Sequence, residues 1–116
     1  MRFAISMTDI EGAWDGLPPE RQEEILAQHR ALKAELRAAG SFVDALHFHP
    51  RGEARTVRMD VDGSIKECDG PYDTDASEYI GGVYVIDCDS MDEAVAWARK
   101  ARFMVGANEV RQIWGE

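Results

Sequence analysis

The stretch GGVYVIDCDSMDEAVAWARKA, Gly81 to Ala101, decides the fold class. Its first part alternates Val83, Val85 and Asp87 on one face with Tyr84, Ile86 and Cys88 on the other. Apolar side chains on both faces suit a central strand covered from two sides. Ser90 and Glu93 then form an S-x-x-E capping box, which satisfies the first free N–H groups of a helix. Met91, Ala94, Val95 and Ala98 follow at helical spacing. A strand passing directly into a capped helix is one half of an alternating α/β unit. The Gly81-Gly82 pair precedes a strand and lacks phosphate-loop spacing, so it reads as a bulge or a close backbone approach.

Upstream lies a matching unit. Arg2–Met7 alternates Phe3, Ile5 and Met7 against Arg2, Ala4 and Ser6, the period of a strand. A loop with Pro18-Pro19 leads into ERQEEILAQHRALKAELRAAG, a helix with Glu20, Glu23 and Glu24 at its dipole-positive start and Gly40 as its stop. SFVDALHFHP reads as a strand ended by Pro50. ARTVRMDVDGSIKEC reads as a hairpin closed by a two-residue Asp62-Gly63 turn. NEVRQIW supplies the last strand, with Val110 and Trp114 among its apolar positions. The order is β-α-β-β-β-α-β with the middle hairpin as an elaboration. This is the α+β, ferredoxin-like βαββαβ plan, an antiparallel sheet with two helices on one face. Helices cover one face only, so apolar residues on the other predict a homodimer packed sheet to sheet.

The chain of 116 residues is long enough for one domain, residues 1–116, and one core. A net charge of −9 excludes a nucleic-acid partner and disfavours an anionic membrane surface, since both need clustered Lys and Arg. No apolar run approaches the roughly 18 residues of a membrane span. The N-terminus shows no signal-peptide core. Cys68 and Cys88 lack C-x-x-C spacing and read as reduced thiols of a cytoplasmic protein.

For chemistry the most informative residue is His29. Ile25, His29, Leu32 and Leu36 fall at i, i+4, i+7 and i+11, which puts an imidazole within an apolar helical stripe. There it needs a hydrogen-bond partner or shifts toward its neutral form, and three roles are open: a satisfied core histidine, a pocket acid/base and a metal ligand. His47 and His49 form H-x-H on a strand, two imidazoles on one face without a convincing third metal ligand. The run Asp73-Thr74-Asp75 resembles the start of a calcium loop, but Glu78 and Tyr84 stand where that loop needs Gly and Glu. Neither metal nor cofactor is expected. No serine sits in a G-x-S-x-G elbow. Trp14, just before the first helix, reads as a loop anchor.

Together DGPY at Asp69–Tyr72, Glu78, GGVYVIDCDSMDEAVAWA and EVRQI resemble the DGPF (DGPFAETKE) family of YCII-related proteins, with Trp14, LPPE, TVR and Asp62-Gly63 fitting upstream. The resemblance spans essentially the whole chain and implies a dimeric α+β barrel of ferredoxin-like protomers. Some relatives occur fused to or beside sigma factors. In the wider YCII-like group a helix-1 histidine and an acidic residue imply an enzyme site, and His29 falls at the histidine's position. That acidic residue follows AWA of the second helix; this chain has Arg99, Lys100, Ala101 and Arg102 there. Tyr72 replaces the usual Phe.

The leading functional expectation is a small-molecule cleft between the sheet and the first helix. His29 would be its acid/base, Asp69 or Glu78 its orienting carboxylate, and Tyr72 or Tyr84 a pocket hydrogen bonder, with Trp14 at the binding surface. The rival is a non-catalytic regulatory module with a transcription-related protein partner.

Overall fold

A computed structural model describes residues 1–115. Its elements are β1 (Arg2–Ile10), α1 (Pro19–Ala38), β2 (Phe42–His47), β3 (Arg55–Met59), β4 (Ile65–Asp69), β5 (Glu78–Asp87), α2 (Met91–Lys100) and β6 (Asn108–Gln112), with a short 3₁₀ turn at Arg51–Glu53. β2, β5, β1 and β6 form one four-stranded sheet in that order. All three pairings are antiparallel. With the β3–β4 hairpin set aside, this is the ferredoxin-like strand order, and the expected class holds.

Local chemistry accounts for the boundaries. At α2, the Ser90 hydroxyl accepts the Glu93 N–H at 3.1 Å, and Glu93 reaches back to the Asp89 N–H at 3.2 Å. Such a cap contributes about 1 kcal/mol. α1 starts on Pro18-Pro19 with no side-chain cap. It stops at Gly40, whose φ of 73° lets Gly40 N–H reach Arg37 O and Ser41 N–H reach Leu36 O.

Alternation along the strands puts Phe3, Ile5, Tyr84 and Ile86 under the helices, where they join Leu32, Leu36, Ala94, Ala98 and Ala101 in the core. Phe3, Ile5, Leu36 and Ile86 are almost fully enclosed, each contributing roughly 1.5–3 kcal/mol by leaving water. Ile25, Leu32 and Leu36 are buried as the helical stripe predicts. The second helix is rotated from expectation. Its alanines take the core side, while Met91 and Val95 are partly exposed and border a shallow groove with Val110. Small residues let α2 approach the sheet closely.

Opposite β1, the register slips between Met7 and Thr8, so Gly81 is the extra residue of a bulge. A Cβ on Gly81 would collide with the Asp9 carboxylate, and one on Gly82 would lie 2.7 Å from Leu46 O. Both readings of the glycine pair therefore apply, bulge and close approach together.

The hairpin differs from expectation at its tip. Its strands end at Met59 and Ile65, and the turn spans Asp60–Gly63, closed by Gly63 N–H to Asp60 O at 2.9 Å. Asp62 Oδ1 takes the Ser64 N–H, so the turn is longer than two residues. β3 and β4 pair only with each other, leaving Val57, Met59, Val61 and Ile65 more than half exposed. This arm raises the radius of gyration to 16.3 Å, against about 13 Å for a compact chain near this length.

Candidate functional site

The arm, α1 and the β2–β5 end of the sheet surround a cleft of 960 Å³. Its walls come from α1 at Ile25–Lys33, from β5 at Glu78–Tyr84, from the segment after β2, and from Ala101–Met104 beyond α2. His29 lies in the α1 wall, half-buried, where the apolar stripe meets the cleft.

His29 Nδ1 and the Tyr84 hydroxyl are 2.7 Å apart. Phe103 meets the imidazole edge-on, with ring centroids 4.8 Å apart. Burial, reinforced by Lys33, Arg102 and His47, pushes the His29 pKa down to about 4. Burial pushes the Tyr84 hydroxyl up to about 12. Both groups are therefore neutral near pH 7 and share one proton along their hydrogen bond. When Tyr84 donates to Nδ1, Nε2 carries a proton; when Nδ1 donates, Nε2 is a free acceptor. Nε2 can therefore donate a hydrogen bond in one tautomer and accept one in the other while the pair stays neutral.

The expected carboxylates do not meet His29. Asp69 lies at the end of β4, exposed, paired with Arg55 at 3.4 Å and outside the cleft lining. Its partner is therefore Arg55 and not the imidazole it was expected to orient. Glu78 does line the cleft, but its carboxylate accepts from Thr8 Oγ1 at 2.7 Å across β1 and β5. The side chain that does bond His29 is Tyr84, expected as a pocket hydrogen bonder. Tyr72 stands at the cleft margin, 78% exposed. Trp14 lines the opposite margin half-buried, its carbonyl held by Gln22 Nε2 at 2.9 Å.

His47 and His49 separate. His47 ends β2 within electrostatic reach of His29, whereas His49 lies past the strand and faces Glu53 at 3.5 Å. Among the described residues, no three His, Cys, Asp or Glu side chains gather as a metal-binding group. Cys68 is exposed and Cys88 buried, and both are free thiols.

Two residues of the site escaped the sequence reading. Lys33 follows His29 by one helical turn, a spacing that could have flagged it. Arg102 gave no signal by type. Its Nε donates to Met104 O at 2.8 Å, one terminal nitrogen to Ala107 O and Asn108 Oδ1 at 2.9 Å, and the other to Thr8 O and Val105 O at 3.1 and 3.4 Å. Each of the five N–H donors of a guanidinium thus has an acceptor, mostly backbone carbonyls. Desolvation lowers the Arg102 pKa, opposed by Asp9 and Glu78. At the far end of the cleft, Arg51 stacks 4.6 Å over the Tyr79 ring and pairs with Glu11 at 3.1 Å, tying the 3₁₀ turn to the end of β1.

Fold and site together define a ferredoxin-like α+β domain with a His–Tyr pair in a cleft beside its first helix. The chain belongs to the YCII-related domain family, whose model matches residues 1–115. It is 28% identical to the uncharacterised protein R00369 of Rhizobium meliloti (strain 1021), over 97% of this chain and 92% of that protein. No helix among the described residues is long and apolar enough to cross a membrane.

Proposed function

We propose that this YCII-related protein binds a small molecule in the cleft beside His29, with His29, held by Tyr84, as the acid/base group at the ligand. The supporting observation is the 2.7 Å bond between these side chains at a 960 Å³ cleft. A satisfied core histidine would be packed solid, whereas this imidazole borders open space lined by apolar and polar groups. Pockets of that size suit metabolite-sized ligands. The test is a fragment screen read on the backbone amide resonances of the cleft walls by NMR. Saturable shifts in the wild type that vanish in His29→Ala support the reading; a His29→Ala variant that keeps every ligand-induced shift sinks it.

The protomer is proposed to act as a cytoplasmic homodimer of the dimeric α+β barrel type. On the face away from the helices, Ala4, Val83 and Val85 are half-buried and Leu46 is 48% exposed, an apolar surface suited to a second sheet.

One observation favours the rival reading of a regulatory module with a transcription-related protein partner. The β3–β4 arm displays Val57, Met59 and Ile65 on one face, all more than 60% exposed, and an isolated two-stranded hairpin is marginal in water without something to pack on. Loss of a transcription-component pull-down on deleting the arm would support that role.

A further inference from the structure

We propose that the cleft takes a carboxylate borne on an apolar or aromatic body, with the carboxylate between Lys33 and His29 and the body against Phe103. This rests on the cleft being a small-molecule site and adds the class of ligand.

The chain carries a net charge of −9, so its average surface repels anions. Around His29 the balance is reversed. Lys33 from α1, Arg102 from beyond α2 and His47 from the end of β2 act on its imidazole, the first two as fixed cations, and among the described residues no carboxylate stands with them. Lys33 is half-buried on the cleft wall and has no ion-pair partner among the described residues. An ammonium kept there unpaired is a ready anion contact one helical turn from His29. The cleft's carboxylates lie elsewhere. Glu78 accepts from Thr8 and acts with Asp9 on Arg102, Glu53 faces His49, Asp73 accepts the Asp75 N–H, and Asp9 and Asp15 act on Tyr79.

Arg102 narrows the anion further. Its charge enriches the wall, but its donors already meet Thr8 O, Met104 O, Val105 O, Ala107 O and Asn108 Oδ1. Arg102 thus offers no fork for the bidentate contacts that phosphate sites favour, and the other guanidinium groups of the cleft, Arg51 and Arg55, pair with Glu11 and Asp69. The available donors are the Lys33 ammonium and, when Tyr84 donates to Nδ1, the His29 Nε2–H. That set matches the two oxygens of one carboxylate. Phe103, standing edge-on to the imidazole, continues the wall as an apolar surface for the rest of the molecule.

The experiment titrates benzoate, benzyl alcohol and inorganic phosphate at pH 7, following the His29 ring resonances by NMR and affinity by calorimetry. Benzoate is expected to bind about ten-fold more tightly than benzyl alcohol, the scale of one charge-assisted hydrogen bond. Lys33→Met should erase that preference while leaving benzyl alcohol unchanged, and Lys33→Arg should restore it. Benzyl alcohol binding as tightly as benzoate would overturn the anion assignment yet leave the small-molecule site standing. Phosphate binding as tightly as benzoate would overturn the carboxylate assignment. If no probe moves the His29 resonances, both this inference and the cleft reading fall.

Discussion

The Tyr84 hydroxyl lies 2.7 Å from Nδ1 of His29, joining the middle of the central strand to the middle of the first helix. Tyr84 is 3% exposed, so its hydroxyl depends on that imidazole for a partner. Tyr84→Phe removes a buried hydrogen bond and is expected to cost about 1–2 kcal/mol in urea unfolding. Paired with His29→Leu in a double-mutant cycle, it should show a coupling of about 1 kcal/mol. Purely additive costs would mean that the contact does not stabilise the fold.

The same pair sets a pH dependence. The His29 pKa falls from 6.5 to about 4 on folding. Between those values the unfolded chain binds a proton that the folded chain does not, so stability rises with pH across the interval. The contribution is complete above 6.5 and lost as pH drops toward 4, with no further loss from His29 below that. Lys33, Arg102 and His47 all oppose the charged form. Discounted for screening at a half-open wall, the loss is about 2 kcal/mol. His29→Gln, which titrates nowhere in this range, should flatten the difference between urea curves at pH 4.5 and 7.5.

Gly81→Ala puts a methyl group into the Asp9 carboxylate. A cost of about 1–3 kcal/mol is expected. Asp9→Ala should rescue it, because the obstruction is one side chain. Gly82→Ala meets the Leu46 carbonyl of the neighbouring strand instead, so no side-chain truncation should rescue that variant. Thermal melts of the four variants separate the two cases.

Arg102→Lys keeps the charge but has three donors for five acceptors. A loss of about 2–3 kcal/mol is expected. Amide exchange should rise in 103–107, and the Phe103 contact with His29 should loosen. Unchanged exchange there would show that the loop is held by other means.

If the helix-free face of the sheet is a homodimer interface, Val85→Asp should shift the protein to monomers in sedimentation equilibrium. Val57→Asp, on the projecting hairpin, should leave that equilibrium alone. Dimers that persist with Val85→Asp would place the interface elsewhere.

The fold was readable because its signals are local. Period-2 alternation at Phe3–Ile5 and Tyr84–Ile86, the Ser90–Glu93 cap and the Gly40 stop each act within a few residues, and all agree on one topology. The site was readable only in part. His29 announces itself as an imidazole in an apolar stripe. Its partner could not be found that way, since Tyr84 is 55 residues distant and reads equally well as core. Asp69 looked suitable because acids cluster around it in sequence, yet its carboxylate pairs with Arg55 and does not line the cleft. Arg102 was legible only as a departure from an expected acid, because backbone carbonyls leave no pattern in side-chain identities.

That last point bears on how this cleft could diversify. The Arg102 guanidinium gathers the carbonyls of Thr8, Met104, Val105 and Ala107, atoms that every amino acid supplies. Apart from Gly106, whose φ of 140° favours glycine, the path of the chain through Phe103–Ala107 is therefore largely independent of the side chains it carries. Substitutions at Phe103 and Met104 can redraw one wall of the cleft while its backbone stays in place. A single arginine thus separates the architecture of this cleft from the chemistry of its lining.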